Sequence, residues 1–460
     1  MKLSRQNQVA RAPERMVHMG LGAFFRAHQA WYTQQADPEN QWGYVAFTGR
    51  SAKAAEELEA QDGLYTLITR GPAGDQFDLM APIVRAADGN DLGAFTAAVA
   101  NPQTALVTLT ITEAGYALAA DGSLLDGAAQ LAALAAGTPT TALGRLAWAL
   151  NERRQQKVGA IALVSCDNIP SNGHLLQGAM KQLMAVFGEP ALNWMTNNVS
   201  FVSTSIDRIT PKTTAAELAL VAEKTGFEDV SPVVTEPFHD WVLQGDFPAG
   251  RPAWEVAGAR FVDHIEPFEN RKLWLLNGSH SLLAYLGQLF GHTTVADAIA
   301  DSRCLAAVEN FWNEAQRTLN DESLNVPEYR AALLDRFGNG RIAHQLAQIA
   351  IDGSTKVRVR IVPTAKAELA AGRSASGAAT AIGAWITYRL SGDKIAAGLA
   401  ADSRDSELAA IVAQAEGSWQ AAVPKLVALL DPELAKNEYF LTQVSAVVTA
   451  LHLTTQPQTA

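Results

Sequence analysis

Residues 16–31 read Met-Val-His-Met-Gly-Leu-Gly-Ala-Phe-Phe-Arg-Ala-His-Gln-Ala-Trp, and this stretch decides the fold class. The run is typical of a short strand, a glycine turn and the start of a helix. Gly20 and Gly22 fill the first two places of a dinucleotide-binding fingerprint, whose glycines allow a tight turn and close approach of the backbone to a pyrophosphate. Phe25 stands at the place of the third glycine. The stretch therefore predicts a dinucleotide-binding turn, with a plain strand–helix turn as the alternative.

A second predicted strand, residues 43–49, leads into a basic turn that contains Arg50, Ser51 and Lys53. At this place an acidic residue would bind the ribose 2′-hydroxyl of NAD, whereas an arginine can accept the 2′-phosphate of NADP. The first carboxylate after the strand is Glu56. The turn therefore predicts that NADP is at least usable, with Arg50 and Ser51 at the adenosine ribose. The alternative is that these cations are ordinary surface charges.

Three more runs rich in β-branched residues predict strands of a buried parallel sheet: residues 105–112, 158–165 and 199–206. Each run ends in polar residues, at the edge of the sheet where ligands bind. These polar residues are Glu113, the pair Asp167 and Asn168, and Asp207. Each has an ordinary alternative role: a loop carboxylate, a turn residue before Pro170, or an ion pair with Arg208.

The stretch 266–287 carries the strongest candidate for chemistry. Pro267 suits the first turn of a helix, because its missing N–H would have no partner there. Four polar residues fall on one face of this predicted helix, within an arc of about 140°: Glu269, Lys272, Asn277 and His280. Two alternatives compete, namely a hairpin turn at Asn277-Gly278 and a buried helix whose polar groups are satisfied locally.

The remaining pattern is mostly helical. Helices are expected over residues 124–150, 327–337, 341–351, 376–390 and 406–430. Pro424 is expected to interrupt the last of these, and residues 352–363 are expected to form a break between helices. The Gly- and Pro-rich segment 238–252 predicts a connecting loop and a domain boundary near residue 260.

Composition excludes several classes of function. The 460 residues carry a net charge of −11, which argues against nucleic acid and anionic membranes as partners. No apolar run reaches membrane-spanning length and the first residues lack the apolar core of a signal peptide, so a cytoplasmic location is expected. Cys166 and Cys304 are the only cysteines, which predicts neither a disulfide framework nor a zinc cluster.

Motifs along most of the chain resemble those of one family. The spacing Lys-x4-Asn-x2-His at Lys272, Asn277 and His280 is similar to the signature of the polyol-specific long-chain dehydrogenases, the mannitol dehydrogenase family. The segments 20–29, 112–116, 165–168 and 207–211 are also similar to motifs of that family. The resemblance implies an α/β Rossmann-type N-terminal domain, residues 1–260, and an all-α C-terminal domain, residues 261–460.

The resemblance also implies roles for individual residues. Lys272 would be the general base, Asn168 and Asn277 would donate to the reacting oxygen, and His280 would orient the substrate. Glu269 would pass the proton from Lys272 to water. Substrate contacts are expected from Asp207, Lys356 and Glu113. Cofactor contacts are expected from Gly20, Gly22, Ala23, Phe24, Arg50, Ser51, Thr112 and Glu113, and no metal is expected.

The predicted function is NAD(P)-dependent interconversion of a polyol, mannitol- or arabinitol-like, and its ketose. NAD is the family default, and NADP is the second possibility because of Arg50 and Ser51. The first alternative is reduction of a keto-uronate, ranked second because Gln348 replaces an arginine of the family eight positions before Lys356. The other alternative is a non-catalytic cofactor-binding protein. The expected partner is a small sugar alcohol or keto sugar, and the expected state is a monomer or weak homo-oligomer.

Overall fold

The computed structural model describes residues 1–7, 9–392, 395–416 and 418–455. The chain forms two compact units, Met1–Glu266 and Pro267–Ala460. In the part of the chain that the structure describes, no helix is both long and apolar enough to cross a membrane.

The first unit contains two β-sheets. Their strands are β1 Glu14–Met19, β2 Gly43–Phe47, β3 Tyr65–Gly71, β4 Gly74–Met80, β5 Ile83–Ala87, β6 Leu106–Leu109, β7 Ile161–Ser165, β8 Val199–Asp207, β9 Val233–Thr235, β10 Asp240–Gln244 and β11 Arg260–Phe261. The main sheet has the order β11-β10-β8-β7-β6-β1-β2-β5, and β4-β3-β9 form a small separate sheet. From β5 to β8 all neighbours in the main sheet are parallel.

The parallel part of this sheet has Rossmann topology. The strands β5-β2-β1-β6-β7-β8 appear in the order 3-2-1-4-5-6, with the change of direction between β1 and β6. Ligands of such sheets bind outside the carboxyl ends of the strands at this switch point. The topology therefore locates a candidate cofactor site beside the glycine turn that follows β1.

Helices complete the first unit: α1 Ala23–Ala27, α2 Gln29–Ala36, α3 Lys53–Glu59, α4 Leu92–Ala100, α5 Glu113–Tyr116, α6 Gly127–Ala135, α7 Ala142–Gln155, α8 Asn172–Met184, α9 Glu189–Asn198 and α10 Ala215–Thr225. The single helix expected over residues 124–150 is thus two helices, because Gly137 with φ +75° follows the first of them. Alternate strand residues enter two separate cores, Met16 in one and Val17 in the other. This is the period-two alternation of strand side chains, and it shows that both faces of the sheet are covered.

The second unit is helical, and its described residues form no β-strand. Its segments are α11 Glu266–Arg271, a π-helical turn Lys272–Asn277, α12 Gly278–Leu289, α13 Val295–Ala300, α14 Ser302–Ala315, α15 Val326–Phe337, α16 Leu346–Ile349, α17 Gly353–Arg360, α18 Val362–Ala370, α19 Ser376–Ser391, α20 Asp405–Gln414, α21 Trp419–Leu430 and α22 Glu438–Thr455. Helix α12 is buried from Gly278 to Gly287 and packs against α13, α14, α16, α17 and α19.

Several local expectations are wrong. The hairpin alternative at Asn277-Gly278 fails, because both residues lie within one continuous helical run. Residues 352–363 form α17 and the start of α18 where a break was expected, and the helix expected over residues 341–351 is only the short α16. Pro424 lies inside α21 and does not interrupt it.

Candidate active site

The glycine turn after β1 is shaped by the backbone of Thr110, the residue after β6. Gly20 has φ +107°, and a Cβ added there would lie 2.7 Å from the carbonyl carbon of Thr110 and nearer still to its oxygen. The amides of Gly20 and Leu21 both donate to the Phe47 carbonyl, at 2.9 and 2.8 Å, which fixes the turn on β2. Only glycine fits at position 20, because positive φ and close backbone approach coincide there.

Gly22 has a different reason to be glycine. It is the N-cap of α1 with φ −146°, an ordinary extended conformation, and an added Cβ would meet only the Gly20 carbonyl at 3.5 Å. Packing within the protein therefore does not require a glycine here. The absent side chain leaves the backbone open on its outer side, as a pyrophosphate site needs. Ala23 and Phe24 follow as the first residues of α1.

Phe25, at the place of the third glycine, is fully buried. Its ring stacks on His18 with centroids 3.5 Å apart and meets Tyr44 edge-on at 4.9 Å. His18 is held in turn by the hydroxyl of Thr108 at 2.8 Å. The third glycine of the fingerprint permits close helix–strand packing. Here α1 is only five residues long and an aromatic stack takes that role, which explains the departure from the motif.

A cavity of about 400 Å³ lies at the carboxyl ends of β1, β2 and β6. Its lining comprises Met19, Gly20, Leu21, Thr48, Gly49, Arg50, Thr110, Ile111, Ala114, Gly115, Ala117, Thr141, Ala142 and Arg145. Of the predicted cofactor residues, Gly20 and Arg50 line this cavity directly. The size and place of the cavity fit part of a dinucleotide at the switch point.

Arg50 and Arg145 are the two charged residues among those that line the cavity. The Arg145 guanidinium donates to the Gly89 carbonyl at 2.5 Å and to the Asn90 side-chain oxygen at 3.0 Å. Burial lowers its pKa from the ordinary arginine value. Arg145 was not predicted from the sequence, because nothing local to α7 indicates that its guanidinium reaches Gly89 and Asn90 in the turn after β5. Ser51, predicted beside Arg50, is exposed, and its hydroxyl accepts from the Lys53 amide at 3.3 Å.

Asp167 organises the loop after β6. Its carboxylate accepts from the amides of Ile111 at 3.2 Å and Thr112 at 2.7 Å, and from the Tyr116 hydroxyl at 3.0 Å. Burial raises its pKa. Thr112 has φ +66°, a strained conformation for a β-branched residue that persists only when its surroundings hold it. From the sequence, Asp167 was expected either at the ligand-binding edge of the sheet or as a turn residue before Pro170. In the structure its carboxylate holds the backbone of Ile111, which lines the cavity.

The predicted polar residues of the first unit follow adjacent parallel strands. Glu113 is the exposed first residue of α5, after β6, and Asn168 is exposed after β7. Asp207 is the half-buried last residue of β8. The carboxyl ends of these three parallel strands share one edge of the sheet, so these side chains are presented along that edge.

In the second unit, the π-helical turn spans the residues from Lys272 to Asn277. In a regular α-helix residues five apart are separated by about 140° around the axis. A π-turn closes i→i+5 hydrogen bonds and so brings such residues to nearly the same side. The turn therefore places Lys272 and Asn277 closer together around the helix than the sequence spacing implies. Both are half-buried, as is Glu269.

Gly278, immediately after the π-turn, is required by packing. A Cβ there would lie 2.6 Å from the Phe311 ring and 3.4 Å from the Arg360 carbonyl oxygen. From the sequence, Gly278 was considered only as part of a possible hairpin turn with Asn277. The structure shows that it lets α14 and α17 approach the catalytic candidate segment closely.

His280 is buried, with 8% of its surface exposed. Its ring packs against Phe337 at 5.1 Å and edge-on against His344 at 5.0 Å. Burial holds its pKa well below the ordinary value, and the nearby basic groups of His344, Arg336, Arg360 and Lys272 lower it further. His280 is therefore a neutral imidazole, able to donate one hydrogen bond and accept another.

Helix α17 contributes two cations to the same unit. Its first residue, Gly353, has no room for a side chain, since a Cβ would lie 2.8 Å from the Trp385 ring nitrogen. The Lys356 ammonium donates to the Ile349 carbonyl at 3.0 Å. Arg360 donates to the Asn277 carbonyl at 3.3 Å and the Ser281 hydroxyl at 3.1 Å. Arg360 was not predicted from the sequence, because a break between helices was expected at this segment. Gln348, eight positions before Lys356, is exposed.

Three possible metal ligands also meet in this unit: His292, Asp301 and Cys304, with ligand atoms within 4.8 Å of one another. Sequence spacing did not reveal this group. The His292 ring nitrogen lies 2.9 Å from an Asp301 oxygen, and the Arg303 guanidinium donates to both oxygens of that carboxylate, at 3.0 and 2.6 Å. The carboxylate is thus already engaged by an arginine, and an ion-pair network accounts for the group.

Two family models match the chain. The mannitol dehydrogenase Rossmann domain matches residues 14–256, and the mannitol dehydrogenase C-terminal domain matches residues 264–452. The chain belongs to the mannitol dehydrogenase family. Membership confirms the predicted resemblance, the Rossmann-plus-helical fold class and the prediction that the protein is an oxidoreductase, as opposed to a non-catalytic cofactor-binding protein.

Individual relatives differ in the substrate that their names state. The chain is 34% identical to the D-mannonate oxidoreductase of Escherichia coli (strain K12), over 95% of this chain and 93% of the relative. It is 37% identical to the D-arabinitol 4-dehydrogenase of Ralstonia nicotianae, over 78% of this chain and 79% of the relative. Among solved structures, the Pseudomonas fluorescens mannitol 2-dehydrogenase in ternary complex with NAD and D-mannitol matches at 30% identity and a TM-score of 0.77, covering 99% of this chain and 100% of that one.

Proposed function

We propose that this member of the mannitol dehydrogenase family interconverts a secondary alcohol of a polyol chain and the corresponding ketose, using NAD or NADP and no metal ion. The observation that carries the proposal is the π-helical turn, which gathers Lys272 and Asn277 on one side of a largely buried helix, with neutral His280 three residues further on. Such turns occur frequently at functional sites.

In this mechanism Lys272 is the general base. Its amine accepts the proton of the substrate hydroxyl, and the amides of Asn277 and Asn168 donate to the oxygen on which negative charge develops. When bound, the nicotinamide cofactor supplies the hydride acceptor. The neutral ring of His280 orients the substrate through hydrogen bonds. Glu269, half-buried three residues before Lys272, passes the proton to water.

The edge of the main sheet supplies the rest of the site in this proposal. The Gly20 turn, Gly22 and the start of α1 would hold the pyrophosphate, because they combine an open backbone with a helix N-terminus. Thr112 and Glu113 would border the nicotinamide. Asp207 and Lys356 would bind substrate hydroxyls.

The test of the chemical role is Lys272→Ala. A general base contributes about 10²–10⁴-fold, so kcat should fall by at least about 100-fold while the dissociation constant of the cofactor changes little. The matched control is Lys425→Ala, since Lys425 is an exposed lysine of the same unit. Turnover should be followed by nicotinamide absorbance over a panel of sugar alcohols and sugar acids with both cofactors. A loss below tenfold would contradict the assignment of Lys272.

We also propose that NADP is usable beside NAD. Two arginines, Arg50 and Arg145, line the cavity and its described lining contains no carboxylate that would repel a 2′-phosphate. A hydrogen bond to a charged group contributes about 1.5–3 kcal/mol, which corresponds to about 10- to 100-fold in affinity. Arg50→Ala should weaken NADP by that factor and leave NAD nearly unchanged. Equal weakening of both cofactors would mean that Arg50 serves the fold or the adenine, and no weakening would leave NAD as the working cofactor.

Reduction of a keto-uronate remains the second candidate. The specific observation in its favour is the similarity to a D-mannonate oxidoreductase over nearly the full length of both chains. The substrate panel separates the two candidates, because it contains sugar acids as well as sugar alcohols.

A further inference from the structure

We propose that Arg360 binds a carboxylate of the substrate, so that among polyol chains the enzyme prefers one that ends in a carboxylate, an aldonate or keto-uronate, over a neutral alditol. The inference rests on the proposed function, because it uses the same site and the same hydride transfer. Of the two substrate classes given there, it favours the acidic one. The observation behind it is a guanidinium at the π-turn whose protein partners are all neutral.

Arg360 lies at the end of α17 and donates through one terminal nitrogen to the Asn277 carbonyl and the Ser281 hydroxyl. Among the ion pairs of the described residues, none includes Arg360. An arginine has five N–H donors in a planar fork. Its other nitrogens therefore have no acceptor within the described protein, and this fork matches the two oxygens of a carboxylate.

Other arginines of the chain show what a purely structural role looks like. Arg153 is 1% exposed, and its guanidinium donates to five backbone carbonyls, among them those of Val99, Thr104 and Gly159. Arg317 and Arg373 both pair with the buried carboxylate of Glu368. Arg360 follows neither pattern. Its partial satisfaction is the arrangement expected of a residue that receives an anion from outside the protein.

The surrounding charges act in the same direction. Burial lowers the pKa of Arg360 to about 10. The pKa of Lys356, one helical turn earlier, is also lowered. The main cause is burial, and the second is the charge of Arg360. The whole chain has a net charge of −11, so this concentration of cations is local and not a consequence of composition. An anionic substrate relieves their mutual repulsion, whereas a neutral alditol does not.

The experiment compares two substrates that differ only at the end of the chain, D-mannonate and D-mannitol. The ratio of their kcat/KM values is measured for the wild type, for Arg360→Gln and for Arg358→Gln. Arg358 lies on the same helix and is exposed, which makes it the matched control. We expect the wild type to prefer D-mannonate and Arg360→Gln to lower the ratio by about 10- to 100-fold, mainly through KM. Arg358→Gln should leave the ratio unchanged.

Three outcomes would overturn the inference. The first is a wild-type preference for D-mannitol, and the second is an equal loss on both substrates in Arg360→Gln, which would show that Arg360 only supports the helix. The third is a preference for D-mannitol 1-phosphate over D-mannonate, which would assign the site to a phosphate. Arg360→Lys retains the charge without the fork and should give an intermediate ratio. It serves as the test if the glutamine variant does not fold.

A binding measurement separates this inference from the proposed function. If neither substrate turns over, the proposed function fails, and calorimetric titration with D-mannonate and D-mannitol in the presence of NADH then tests the inference alone. Binding of D-mannonate that Arg360→Gln weakens tenfold or more would support it. Equal binding of the two compounds, or no binding of D-mannonate, would overturn it.

Discussion

Alanine at position 20 should damage the fold. The added Cβ would lie 2.7 Å from the carbonyl carbon of Thr110, and φ at Gly20 is +107°. Backbone strain of this kind costs about 1–3 kcal/mol. Overpacking against groups that cannot rotate away costs about 1–3 kcal/mol more. We therefore expect Gly20→Ala to lower the free energy of unfolding by about 2–6 kcal/mol. At roughly 2–4 °C per kcal/mol for a domain of this size, Tm should fall by at least about 4 °C.

Gly22→Ala is the matched control, because the same substitution two residues later meets only the Gly20 carbonyl, at 3.5 Å, in an ordinary backbone conformation. Its free energy of unfolding should stay within about 0.5 kcal/mol of the wild type. Its cofactor affinity should fall by at least about tenfold if a pyrophosphate contacts this backbone. Stability is measured by thermal and urea unfolding followed by circular dichroism, and affinity by titration of NADH fluorescence.

Separate results for the two variants would contradict the two roles assigned to this turn. An unchanged Tm in Gly20→Ala would show that the turn does not approach Thr110 as described. An unchanged NADH dissociation constant in stable Gly22→Ala would remove this turn from the cofactor site. Loss of stability in both variants would mean that the glycines serve the fold alone.

Two further outcomes are expected of the wild-type enzyme. Dialysis against a chelator should leave turnover unchanged, because the proposed base is an amine. A loss of turnover that added zinc restores would contradict this and would implicate His292, Asp301 and Cys304 as metal ligands. The free energy of unfolding should fall as the pH drops below about 6.5. Burial lowers the pKa of both His18 and His28 to about 3. Between about pH 6.5 and about pH 3 the unfolded chain therefore binds more protons than the folded one. Each histidine then costs about 1.4 kcal/mol per pH unit, or about 4 kcal/mol for the pair at pH 5, and identical urea midpoints at pH 7 and pH 5 would refute this.

The predictions from sequence succeeded where local chemistry determines the structure. Gly20 signals a turn that only glycine can make, and buried β-branched runs signal central strands. The Rossmann-type fold class was implied by the resemblance of these motifs to one family. The helix that begins with Glu266 and Pro267 and continues through His280 was predicted for similar reasons. Its polar face could be identified from spacing, although the predicted catalytic roles of that face are still to be tested.

What the sequence did not reveal depends on contacts between distant segments. Arg145 lines the cavity with its guanidinium held by Gly89 and Asn90, in the turn after β5. Asp167 looked like a turn residue because its partners, including the amide of Thr112, belong to a loop more than fifty residues earlier. The π-turn cannot be recognised by counting at 100° per residue, since that count assumes the geometry that the turn departs from. Arg360 was overlooked because helix α17 was expected to be a break.

The π-turn also lets the helical segments before and after it take different orientations around the common helix axis. Downstream of it, the orientation of α12 is dictated by close packing, since Gly278 and Gly287 would each bring an added Cβ within 3 Å of neighbouring side chains. Upstream of it, the orientation of Glu269 and Lys272 is not bound to that packing, because the wider turn absorbs the difference in rotation. If the same residues adopted regular α-helical geometry with none removed, Lys272 would rotate by about a quarter turn relative to α12. Substitutions in the segment before the π-turn can therefore change the position of the Lys272 side chain without changing the packing of the core around His280.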